Sequence, residues 1–268
     1  MPLEIFCPIK GIGAASGIVH IDDSLYLVSD ASTFLYRYSI SGKQLHKIQI
    51  NETGDENMLK KNKPDFEILT RHGNDLYLMG SGSTPKRNLQ VIYNLNSKET
   101  KTIDATDLYR KFKTTASFTD DELNLEGAFF DDEKWYYFQR GNSRTGTNGI
   151  FIAEGNNIEF HPVALPKIKH IEATFTDAIV VDGKAYFLAA AEDSKSTYDD
   201  GEVLGSIIGR IDLATMSIDF TEQVSVHIKL EGLALFLKEN DRLVFLLCED
   251  NDTETLASII YKFTLDTK

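Results

Sequence analysis

Five times along this chain a polar residue opens a short apolar stretch, which turns on Asp, Gly or Asn and returns as an aliphatic and aromatic run. The opening phrases are Ser16-Gly17-Ile18-Val19, Glu67-Ile68-Leu69, Glu126-Gly127-Ala128-Phe129, Thr176-Asp177-Ala178-Ile179 and Glu231-Gly232-Leu233-Ala234. The returning runs start at Leu25, Leu76, Trp135, Ala185 and Leu243, nine residues after the opening residue in four phrases and twelve in the fifth. Short runs of this composition, without helical spacing, read as buried strands. A third strand with clearer alternation follows each, as in Leu35-Tyr-Arg-Tyr38 and Ile260-Tyr-Lys-Phe263, and alternation marks a half-exposed strand. A fourth, more polar strand is expected in four units, near 45–50, 99–103, 158–163 and 217–221.

The fifth unit ends after its third strand, and Leu3-Glu-Ile-Phe-Cys-Pro-Ile9 at the other end of the chain is a ready donor for the missing one. Repeats of this length indicate radial or stacked folds. Closing the last with the first leaves no open seam. The pattern therefore predicts an all-β, five-bladed β-propeller with four-stranded blades, formed by a single domain over residues 1–268. Two segments interrupt the rhythm. Asn51 to Pro64 reads as a polar, Lys-rich connector, and Asp104 to Leu123 joins the second and third units, with Thr106 to Phe112 as a short helix capped by Thr106. Asp193 to Gly205 reads as the longest polar loop, a lid carrying Lys195, Tyr198 and Asp199.

The balance of 28 basic against 41 acidic residues gives a formal charge of −13, which disfavours a nucleic-acid or anionic-membrane surface. No apolar run approaches the roughly 18 residues of a membrane helix, and the first residues lack the pattern of a secretory leader. Two cysteines, Cys7 and Cys248, are too few for a disulfide framework, so a reduced, cytosolic protein is the expectation.

In a propeller the innermost strand of each blade lines the axis. Ser16, Glu67, Glu126, Thr176 and Glu231 hold the equivalent leading position, so three carboxylates and two hydroxyls converge there. Carboxylates held close together raise one another's pKa and need a cation, protons or basic partners. Glu67, Glu126 and Glu231 are thus the candidate metal ligands, and all-oxygen donors suit Ca²⁺ or Mg²⁺. Arg140, Asn142, Arg144, Asp177 and Lys229 flank the same opening and complete the candidate ligand-binding set. Arg140 and Lys229 also allow the opposite outcome, a salt-bridge network that plugs the channel. No Gly-x-Ser-x-Gly elbow or His-Glu-x-x-His occurs, and the six histidines are scattered.

Asn124-Leu-Glu-Gly127 and Lys229-Leu-Glu-Gly232 resemble the Asp-Leu-Glu-Gly signature of bacterial propellers with an esterase-like phytase domain and their quorum-regulator-associated relatives. Pro64-Asp-Phe-Glu67, Phe138-Gln-Arg-Gly-Asn142 and Glu172-Ala-Thr-Phe-Thr-Asp177 extend the likeness over most of the chain. The resemblance implies a propeller that is often calcium-associated, with an esterase or phosphoesterase role, and carries over Glu67, Glu126 and Glu231 as channel-facing acids. Ser16 and Thr176 depart from it, as do Asn124 and Lys229 in place of the signature aspartate. The expected function is binding of a small ligand or protein partner at the mouth of an acidic axial channel, with a divalent cation as a possible component. The alternatives are a metal-assisted hydrolase of a small ester, lactone or phosphate, in which Arg140 and Arg144 would hold an anionic group, and a glycosidase.

Overall fold

Each opening phrase is the inner strand of a four-stranded antiparallel blade. The computed structural model describes residues 2–143, 146–193, 201–250 and 256–266. Its inner strands are Ala15–Ile21, Phe66–His72, Leu125–Asp131, Thr174–Val181 and Lys229–Glu239, which begin blades 1 to 5 in chain order. Blades 1 to 4 run outward through consecutive strands. Blade 5 is completed from outside by Glu4–Lys10, which pairs antiparallel with Ala257–Asp266, so Cys7 lies beside Ile260. The five-bladed propeller is closed as the repeat count requires.

The turn after each inner strand places Asp22, Gly73, Asp132, Asp182 or Asn240 at positive φ. Two-residue hairpins that follow strand twist need that conformation, and Asp, Asn and Gly reach it at least cost. Side chains on a strand alternate between faces, so each blade feeds the apolar seams on both sides. One seam joins Leu69 and Phe66 of blade 2 to Val28 and Leu35 of blade 1. Another joins Ile9, Leu246 and Ile260 of blade 5 to Ile18 and Leu27 of blade 1.

The seam between blades 2 and 3 is filled partly by the helix Thr106–Ala116, whose Tyr109 and Phe112 are buried in it. Tyr109 Oη donates to Gly80 O at 2.6 Å. This helix is a turn longer than the expected 106–112, and Thr106 does not cap it. The N-cap is Ala105, and the Thr106 N–H donates to Asp104 Oδ1 at 2.9 Å. The loop expected over 193–205 is also shorter, because Asp193 pairs with Glu202 and Glu192 with Val203 at the end of a long hairpin. Residues 194–200, including Lys195, Tyr198 and Asp199, lie outside the described residues. Among the described residues no helix is long and apolar enough to cross a membrane.

Near the axis the inner strands run too close together for side chains at every position. A Cβ on Gly127 would lie 2.7 Å from Ala178 N and 2.9 Å from Asp177 C in blade 4. A Cβ on Gly232 would meet Cys248 Sγ at 2.4 Å and Ile18 N of blade 1 at 3.0 Å. This explains the glycine after the opening residue. Gly127→Ala should push two inner strands apart and lower unfolding free energy by about 1–3 kcal/mol, the usual cost of overpacking. Urea denaturation measures it, and an unchanged midpoint rejects the close-approach account.

Candidate functional site

All five leading residues occupy one structural position. Pairing with the second strand skips Ser16, Glu67, Glu126, Thr176 and Glu231, each the extra residue of a β-bulge. A bulge leaves its residue out of the ladder and re-aims the side chain. Glu67, Glu126 and Glu231 line a cavity of about 360 Å³. The two hydroxyls do not line it. Ser16 Oγ donates to Phe66 O of blade 2 at 2.5 Å, and Thr176 Oγ1 to Leu230 O of blade 5 at 2.7 Å. They stitch neighbouring inner strands together.

Asp177 is likewise not brought to the cavity. It stands where blades 1, 3 and 5 carry glycine, is 3% exposed, and accepts from the backbone N–H groups of Ala178 and Leu233, both at 2.7 Å. Burial holds its carboxyl well above the usual range, and the two backbone donors offset that only in part. It is a clasp between blades 4 and 5.

Arg140, Asn142 and Lys229 do line the cavity, as do Asp30 and Arg87 from just after second strands and Glu192 and Asp250 from the ends of second strands. Arg144 lies outside the described residues. On the side of blades 3 to 5 the charges interlock. Arg140 contacts Glu126 Oε1 at 3.2 Å and Glu192 Oε2 at 2.8 Å. Lys229 Nζ lies 2.8 Å from Glu231, 3.1 Å from Glu192 and 3.3 Å from Asp250. Asn124 Nδ2 donates to Glu126 Oε1 at 2.7 Å.

On the side of blades 1 and 2, Lys63 pairs with Asp30 and, at 3.1 Å, with Asp65. Arg87 reaches Asp65 Oδ2 at 2.9 Å and Ser83 Oγ at 2.7 Å. Among the described residues the carboxylates of Asp30, Asp65 and Glu67 come within 4.8 Å of one another, whereas Glu67, Glu126 and Glu231 do not form such a group. The three glutamates share a cavity without sharing a coordination sphere.

Between these two networks stands Glu67. Among the described residues its carboxylate accepts no hydrogen bond and has no cation within ion-pair distance. Among the described residues the lining carries eight acidic against five basic side chains around a cavity that stays open.

Burial, then Glu126, Asp65 and Glu231, push the Glu67 carboxyl well above the carboxylate range. Burial also raises Glu126 and Glu231, against the pull of Arg140 and Lys229. Burial works to raise Glu192 as well, but Arg140 and Lys229 outweigh it and hold that carboxyl low. Lys63 loses solvation, yet Asp30, Asp65 and Glu67 more than restore its charge and move it upward.

Lys60, Lys63, Met58 and Asp121 belong to the lining but not to the set read from sequence. They come from the two segments that interrupt the repeat. The available signal was Lys60-Lys61-Asn62-Lys63, a basic run in an acidic chain immediately before Asp65 and Glu67.

With this geometry in place, comparison with known proteins places the chain. The family model described as "Family of unknown function (DUF6929)" matches residues 11–265. The chain belongs to that family. No curated protein matches it. Among solved structures, Myxococcus xanthus glutaminyl cyclase superposes with a TM-score of 0.53 at 11% identity, over 99% of this chain and 100% of that one. A luciferin-regenerating enzyme gives a TM-score of 0.49 at 10% identity, over 97% and 94% of the two chains. At such identity the cyclase match speaks for the propeller fold alone.

A carboxyl with a raised pKa in the folded protein contributes stability that is complete below its unfolded value, about 4.5 for glutamate, and is lost as pH rises through the folded value. Glu67→Gln removes one such group. Its melting temperature should exceed that of the parent at pH 8, with the difference shrinking toward pH 5. A constant difference across that range would contradict the assigned charge state.

Proposed function

We propose that this propeller is a binding protein whose axial cavity takes a small organic molecule bearing a positive charge. The observation that carries this reading is the unpartnered Glu67 carboxylate, set in a lining with more acids than bases. A half-buried carboxylate crowded by Glu126, Asp65 and Glu231 is costly to ionise without a partner, and a ligand cation would relieve Glu67 together with Glu126 and Glu231. A cavity of about 360 Å³ falls in the size range of small-molecule sites and exceeds what a bare ion needs. Asn124, Asn142 and Ser83 supply neutral hydrogen-bonding groups in the same lining that can orient a ligand.

Likeness to calcium-associated propellers at Asn124–Gly127 and Lys229–Gly232 also favours a cation over an anion as the occupant. The oxygens of Asp30, Asp65 and Glu67 suit a hard divalent ion. Lys63 and Arg87, however, already counter two of those three acids. A metal is therefore the weaker form of the proposal.

The hydrolase and glycosidase readings draw no specific support from this cavity. Its described lining contains no histidine. Ser83 Oγ, the most plausible nucleophile by position, is shared with Ser81 Oγ at 2.8 Å and accepts from Arg87. Its proton goes to Ser81, which donates in turn to Asp65, a carboxylate already paired with Lys63 and Arg87 and so a poor base.

Thermal melts with putrescine, ethanolamine, Ca²⁺, Mg²⁺, phosphate and acetate test the reading. A cationic probe at about 100 times its Kd should stabilise the protein by about 2.7 kcal/mol, and Glu67→Gln should abolish the shift. Stabilisation by the anions alone overturns the proposal.

A further inference from the structure

The segment 59–63, which adds Lys60 and Lys63 to the cavity lining, runs between two fixed points. On one side the Met58 N–H donates to Ala31 O at 3.0 Å, and on the other the Asp65 N–H donates to Asp30 O at 3.0 Å. Between them the chain makes a single turn, closed by the N–H groups of Asn62 and Lys63 on Leu59 O at 2.7 and 3.1 Å. Leu59 is 68% exposed, so apolar burial does not hold this turn down. Lys60 and Lys63 both reach the lining from it, and Lys63 is the one that meets the acidic cluster. Its ammonium sits against Asp30 and Asp65, two of the three carboxylates that cluster with Glu67. Arg87 Nη2 and Lys86 Nζ also touch the same turn, through the carbonyls of Lys60 and Lys61, at 3.3 and 3.5 Å.

We propose that Lys63 is a built-in competitor for the ligand: its ammonium occupies part of the cationic position at Asp30, Asp65 and Glu67, and a bound cation displaces it and releases the 59–63 turn. This rests on the cationic-ligand reading of the cavity and assigns its regulation. A tethered ammonium acts as an intramolecular ligand at high effective concentration, so it lowers apparent affinity by the fraction of molecules in which the position is already filled. It also makes the site selective. A weak cation cannot evict Lys63, whereas a ligand that adds contacts to Asn124, Asn142 or Glu231 can. Arg87 stays on Asp65 throughout and keeps that carboxylate paired.

Calorimetric titration of the parent, Lys63→Gln and Lys63→Met with putrescine, Ca²⁺ and Mg²⁺ tests this, with melts to check that each variant is folded. At least one probe should bind the Lys63 variants at least tenfold more tightly than the parent. Hydrogen exchange on the parent gives a readout that needs no variant, since the Asn62 and Lys63 amides should exchange faster when the probe is bound. Binding by the parent with no gain in folded Lys63 variants, or with slower exchange over 59–63, overturns the competitor role and leaves the cavity reading intact. No binding of any probe to parent or variants overturns both.

Discussion

Five strands must meet at one axis, and backbone crowding there governs everything placed around it. Where blades 3 and 4 touch, and again where 5 and 1 touch, only a glycine leaves room for the neighbouring backbone. The bulge one residue earlier follows from the same crowding, because a side chain that cannot point between strands must be turned along the axis. The cavity-facing position is thus a by-product of closure. Whatever residue occupies it is either consumed in holding adjacent blades, as with Ser16 and Thr176, or left facing the open end, as with the three glutamates.

The glutamates on that position set the second constraint. Several carboxylates in so small a volume repel one another, and the surrounding chain answers with cations delivered from different places. Lys229 lies on the same inner strand as Glu231, Arg140 follows the second strand of blade 3, and Lys63 comes from a connector. Their distribution is uneven. The side of blades 3 to 5 is cross-linked through Glu192, which touches both Arg140 and Lys229. The opposite side is met by Arg87 on Asp65 and by Lys63, which is carried by an exposed turn. Rigidity on one wall and adjustability on the other is an arrangement suited to capture, since a cavity with two rigid walls would have to be born with its ligand inside.

The architecture was legible because its signals are local. Strand composition, turn residues and the repeated opening phrase are each written within ten residues, and the convergence of Glu67, Glu126 and Glu231 on one cavity follows from them. The pairing of Arg140 and Lys229 with the glutamates could be anticipated, but most other partnership was not legible, because it is decided by distances across blades. Nothing near Thr176 indicates that its hydroxyl will reach Leu230 O, and Asp30 meets Lys63 only because a connector folds back over blade 1. Asp177 is the instructive case. Its place in the glycine column of the repeat marks it as a residue between strands, and its two backbone donors make it structural despite its acidic character.

The outermost strand of blade 5 gives the molecule its topology. Glu4–Lys10 has no place to pair until Ala257–Asp266 is formed, so contacts such as Cys7 beside Ile260 join nearly opposite ends of the chain. Closing a loop of that length carries an entropic cost that only the finished ring recovers. Blades 1 to 4 can each form from consecutive strands, but the axial cavity has a complete wall only after the clasp is fastened. Assembly of the site is therefore a late event in folding, and a chain that stalls before closure presents its acidic groups to water with no cavity between them.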